Sequence, residues 1–65
     1  MNKISCIIPA YNEEARIATV IQFVQEHSLI SEVIVVDDGS TDNTKKMVKI
    51  SDKVKLIIHE KNQGK

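Results

Sequence analysis

Sixty-five residues with nine basic and nine acidic side chains and no net charge describe at most one small domain. A balanced charge gives no field to gather nucleic acid or anionic lipid, and no run approaches the roughly 20 apolar residues of a membrane span. The single cysteine, Cys6, excludes an internal disulfide and fits a buried small hydrophobe in a reducing, cytoplasmic setting.

Residues 4–8, Ile-Ser-Cys-Ile-Ile, are short, β-branched and followed by Pro9, which predicts a first strand closed by the proline. No secretory leader is expected, because Lys3 and Pro9 bracket too short an apolar run. Asn12 has the chemistry of a helix cap, with Glu13 and Glu14 placed for the positive end of a helix dipole. Ile17, Val20, Ile21 and Val24 then recur at i, i+3, i+4 and i+7, the stripe of an amphipathic helix running to about residues 26–28. Phe23 is expected to pack in or beside the core. Residues 33–36, Val-Ile-Val-Val, predict a second strand with no alternation. Residues 37–43 have turn composition, and Ser40, Thr41 and Asp42 are each candidate caps for a short helix carrying Thr44, Met47 and Val48 on one side. Residues 53–59 predict a third strand, and residues 62–65 a loop.

The order is βαβαβ, which implies a three-stranded parallel sheet with right-handed crossovers and, if both step the same way, strand order 3-2-1. Both helices then lie on one face. The strands nevertheless read as runs buried on both sides, so the other face calls for a layer these residues do not supply. A larger domain or self-association through that face would cover it.

Candidate chemistry gathers at two strand ends, Pro9-Ala10-Tyr11-Asn12-Glu13-Glu14 and Val36-Asp37-Asp38-Gly39-Ser40-Thr41-Asp42. In open α/β sheets ligands bind outside the carboxyl ends of the strands. Tyr11 offers a face for stacking a nucleobase, and Glu13 could meet a base edge or ribose. Of Asp37 and Asp38, successive residues on a strand, one is expected to face a ligand and the other to bond the turn. Lys65, after Gly64, could meet a phosphate. His27 and His59 read as structural, and two histidines with one cysteine show no metal-ligand spacing. The glycine signatures of P-loop and dinucleotide sites are missing.

The strings in residues 7–14, 35–44 and 62–65 resemble, in order and spacing, the N-terminal part of family 2 glycosyltransferases, with the flavour of the polyprenyl- and dolichyl-phosphate sugar synthases. The resemblance implies a GT-A, Rossmann-like fold in which residues 1–65 form a partial domain, the nucleotide-binding half. It places Pro9, Tyr11 and Glu13 around base and ribose, Val36 and Asp38 at the second strand end with Asp38 as the carboxylate to the base, and Lys65 near the donor. It implies a UDP- or GDP-sugar donor, a polyprenyl phosphate or saccharide acceptor, and Mg2+ or Mn2+ held by an Asp-x-Asp expected beyond Lys65, about thirty residues on. No catalytic residue or metal ligand is expected within this segment, which should not transfer sugar alone. The complete enzyme is compatible with attachment at the cytoplasmic face of a membrane. Two other readings are a non-catalytic α/β fragment that self-associates, and a receiver-type signalling module, which the placement of both acids after strand two disfavours.

Overall fold

The computed structural model describes residues 3–59. In chain order the elements are β1 (Ser5–Ala10), α1 (Ile17–Gln25), β2 (Glu32–Asp37), α2 (Thr44–Met47) and β3 (Val54–Ile58). The strands form one parallel sheet in the order β1-β2-β3, the expected 3-2-1 arrangement. Its register sets Cys6, Val33 and Val54 in one row, Ile8, Val35 and Leu56 in the next, and Ala10, Asp37 and Ile58 in the last.

Those three rows face the helices. Ala10, Ile17, Ile21, Val33, Val35, Val48 and Val54 form the buried core, with Ile8, Val24, Ile30 and Leu56 packed against it. The stripe predicted on α1 is narrower than the period suggests, because Ile17 and Ile21 are buried while Val20 is exposed. Phe23 is 78% exposed, so its expected place in the packing is corrected: it lies off the buried side of a helix that touches the sheet through Ile17 and Ile21. The ammonium of Lys53 donates to the Gln25 carbonyl at 2.5 Å, occupying one of the acceptors a helix leaves open at its carboxyl end.

On the other face the rows are Ser5 with Glu32, Ile7 with Ile34 and Lys55, and Pro9 with Val36 and Ile57. Nothing among the described residues covers it, and Ile7 and Ile57 are 63% and 52% exposed. Its amino-terminal end is polar. Ser5 Oγ donates to Glu32 at 2.6 Å and Lys55 Nζ lies 3.6 Å from the same carboxylate. The Ser5 hydrogen bond, with the nearby lysines, holds the Glu32 carboxyl below its ordinary range. Its carboxyl-terminal end is apolar and leads into the strand-end loops.

Two expected boundaries move. Pro9 does not end pairing: β1 continues through Ala10, with Pro9 in register with Val36. The carbonyls of Ile4 and Ala10 both accept from the β2 side. Backbone groups of even-numbered β1 residues therefore turn inward and those of Pro9 face the open edge, where a missing N–H costs no ladder bond. Nor does Asn12 cap α1, whose regular turns begin at Ile17. Residues 13–16 make a preliminary turn in which Arg16 and Ile17 both donate to the Glu13 carbonyl, and Asn12 sits at φ 52°. Asparagine tolerates that left-handed region better than most side chains.

Candidate functional site at the strand ends

The loops after β1 and β2 are bound to each other along residues 10–14 and 37–44. The Asp38 amide donates to the Ala10 carbonyl at 2.9 Å, continuing the ladder past the last paired row. Two hydroxyl relays follow. The Asn12 amide donates to Ser40 Oγ at 2.8 Å, and that hydroxyl donates to Asp37 Oδ1. The Glu13 amide donates to Thr44 Oγ1 at 2.7 Å, and that hydroxyl donates to Asp42 Oδ1. In each relay an amide of the first loop reaches a carboxylate of the second through one serine or threonine.

Asn12 closes the clamp from the other side. Its Oδ1 accepts from the Thr41 amide at 2.8 Å and from the Asp42 amide at 3.3 Å. The Glu14 carboxylate accepts from the Asn43 amide at 3.0 Å, and the Glu14 amide donates to Asp42 Oδ2 at 3.3 Å. Asn12 and Glu14, read from sequence as helix-end residues, thus bind the second loop instead. Asp42 also accepts from the Thr44 amide at 2.9 Å, a side-chain turn just ahead of α2; the cap position itself falls on Asn43, which makes no side-chain cap bond, so none of Ser40, Thr41 and Asp42 occupies it. Gly39 turns the chain at φ 73°, a region open to glycine at no steric cost.

Desolvation pushes the Asp42 carboxyl up, but bonds from the Thr44 hydroxyl and amide and the Glu14 amide outweigh it, and the net shift is downward. A carboxyl held lower in the folded state contributes stability above its unfolded value near about 4, and loses it as pH falls through the folded value. Asp42→Asn is therefore expected to flatten the stability profile below pH about 4, read by thermal unfolding across an acid series. Thr44 is fully buried, and Thr44→Val removes the acceptor of one loop and a donor to the other. A loss of about 1–2 kcal/mol is expected in urea denaturation.

The two acids separate sharply. Asp37 is fully buried on the helix side, its carbonyl accepting from the His59 amide at 2.7 Å. Asp38 lies on the open face, 52% exposed at its side chain, with Oδ1 3.1 Å from His59 Nδ1. Of the other predicted positions, Pro9 and Val36 adjoin in register on the open face. Tyr11 is half exposed just beyond β1. Glu13 is paired with Arg16 at 3.1 Å, and with Pro9, Arg16 and Val20 it lines a recess of ≈ 290 Å³ along the β1 edge. Val36 and Asp38 do not line that recess. Lys65 and the rest of its loop lie outside the described residues. Among the described residues no group of three or more histidine, cysteine, aspartate or glutamate side chains converges to hold a metal ion, and no helix is long and apolar enough to cross a membrane.

Sequence reasoning missed the clamp and the partner of Asp38. The clamp's signal was present as hydroxyl and carboxamide side chains in both loops, but only the fold pairs them.

Residues 5–65 match the model of glycosyl transferase family 2. An uncharacterized protein of Methanocaldococcus jannaschii is 47% identical over 64 residues, covering 91% of this chain and 27% of that protein. A UDP-N-acetylglucosamine–dolichyl-phosphate N-acetylglucosaminyltransferase of Methanococcus voltae is 40% identical, over 89% of this chain and 29% of its own length. A dolichyl-phosphate beta-glucosyltransferase of Dictyostelium discoideum is 35% identical, over 95% and 24%. The chain thus spans between 24% and 29% of the length of these relatives. No solved structure matches it significantly.

Proposed function

The chain belongs to glycosyl transferase family 2, and from that premise we propose that its strand-end face binds the nucleotide of a nucleotide-sugar donor. The observation that carries this reading is the exposed Asp38 carboxylate at the carboxyl end of β2, next to the end of β1 that leads into Tyr11, with the two following loops interlocked. Asp38 accepts an N–H of the base or a hydroxyl of the ribose. Tyr11 supplies a stacking face, and Pro9 and Val36 an apolar floor. Glu13 reaches the ribose from the same loop, sharing its carboxylate with Arg16. The resemblance assigns Lys65, outside the described residues, to the phosphates.

The complete enzyme transfers the sugar to a polyprenyl phosphate, a proposal supported by the dolichyl-phosphate named for the relatives in Methanococcus voltae and Dictyostelium discoideum. Mg2+ or Mn2+ belongs, on this reading, to acids following Lys65. Residues 1–65 constitute the nucleotide-binding part of the catalytic domain and do not turn over donor by themselves.

Titrating UDP and GDP separately into the chain, with Mg2+ present, tests the site by amide chemical shifts. Perturbations centred on residues 10–13 and 36–38 are expected, stronger for the nucleotide whose base the enzyme uses. Shifts confined to other regions, or none with either nucleotide at millimolar concentration, would refute it.

A further inference from the structure

His59 reaches back from β3 to the second strand end. β2 and β3 pair through Asp37 and Ile58, so the residue following each is carried to the same rim of the sheet. The His59 amide donates to the Asp37 carbonyl at 2.7 Å, which fixes the backbone there. Alternation along the strands then sets Asp38 and His59 on the open face, in line with Val36 and Ile57. The ring completes the bridge, with Nδ1 3.1 Å from Asp38 Oδ1.

A carboxylate oxygen offers only lone pairs, so this contact selects the ring form with its proton on Nδ1. It engages one oxygen of Asp38. The other, Oδ2, has no hydrogen-bond partner among the described residues. Side-chain exposures of 73% for His59 and 52% for Asp38 make the pair worth little to stability. Its consequence is orientation. An aspartate on an open rim would otherwise sample several rotamers, and pinning Oδ1 restricts where Oδ2 points.

We propose that His59 is a positioning residue for nucleotide recognition: its Nδ1–H holds one oxygen of Asp38 so that the other presents a fixed acceptor to an N–H or O–H of the bound nucleoside. This rests on the role given to Asp38 under Proposed function.

The test compares wild type with His59→Ala, His59→Asn and Asp38→Ala, all in the full chain, with UDP and GDP as probes. Asparagine places an amide N–H near the position of Nδ1. His59→Ala is expected to weaken binding about three- to tenfold without moving the melting temperature, and His59→Asn to recover most of the loss. Ring nitrogen shifts at alkaline pH, where the imidazole is neutral, should place the proton on Nδ1 in wild type and release that preference in Asp38→Ala. If His59→Ala binds like wild type while Asp38→Ala does not, or His59→Asn fails to rescue, or the wild-type proton sits on Nε2, the positioning role is overturned and the Asp38 reading stands. If Asp38→Ala also binds like wild type, both fall.

Discussion

Ser40→Ala is expected to destabilise the chain by about 3 kcal/mol, enough to remove much of the stability available to a domain of this size. The reason lies in what the hydroxyl connects. Ser40 is buried, accepts from the Asn12 amide at 2.8 Å and donates to Oδ1 of Asp37. Asp37 is itself fully buried, and its Oδ2 already lacks a hydrogen-bond partner among the described residues. Deleting the hydroxyl would strip the carboxyl of its one side-chain donor and orphan an amide in the same step. Loss of a partner from a buried polar group costs more than the bond itself contributed, and most for a carboxylate. Urea denaturation of Ser40→Ala against wild type measures the effect. Asp37→Asn in the Ser40→Ala background should restore part of the loss, because a neutral amide is cheaper to bury than a carboxylate. A Ser40→Ala variant as stable as wild type would mean that the hydroxyl bridge contributes nothing.

Much of the fold was legible because it follows from local pattern. Val33 to Val36 is a short, β-branched run between two polar segments and so reads as a strand, and the helices on either side leave the parallel order almost no alternative. The errors came where a residue's local preference is settled by something distant. Pro9 is a strand breaker by itself, yet the edge position of β1 turns its nitrogen outward and lets pairing run on. Asn12 has the chemistry of a helix cap, but its carboxamide meets amides 29 and 30 residues away, and the backbone adopts φ 52° to bring it there. The bridge from His59 to Asp38 is equally hidden from local pattern, because the two lie 21 positions apart in the chain. The candidate site is legible only as a set of residue types at two strand ends. The bonds that join those ends are long-range, and no periodicity announces them.

Asp38→Ala is expected to weaken binding of the preferred nucleotide by about 10- to 100-fold while leaving the melting temperature nearly unchanged, the reverse of what its neighbour should show. The contrast follows from adjacent positions on opposite faces of one strand. Asp37 points into the helix layer and is wholly buried, so replacing it disturbs the Ser40 relay and the folded state. Asp38 is half exposed on the open face and, among the described residues, bonded at its side chain only to the still more exposed His59, so its removal vacates no core. On the proposed function its value lies in what arrives from solvent: a charge-assisted hydrogen bond to a ligand N–H, worth about 1.5–3 kcal/mol, corresponds to the stated range. Calorimetric or chemical-shift titration of Asp38→Ala and Asp37→Ala, alongside their melting curves, gives four numbers that should separate into two pairs. If Asp37→Ala lost nucleotide affinity without losing stability, the ligand-facing acid would be Asp37. The register Ala10↔Asp37, which carries that side chain to the helix face, would then be shifted by one residue.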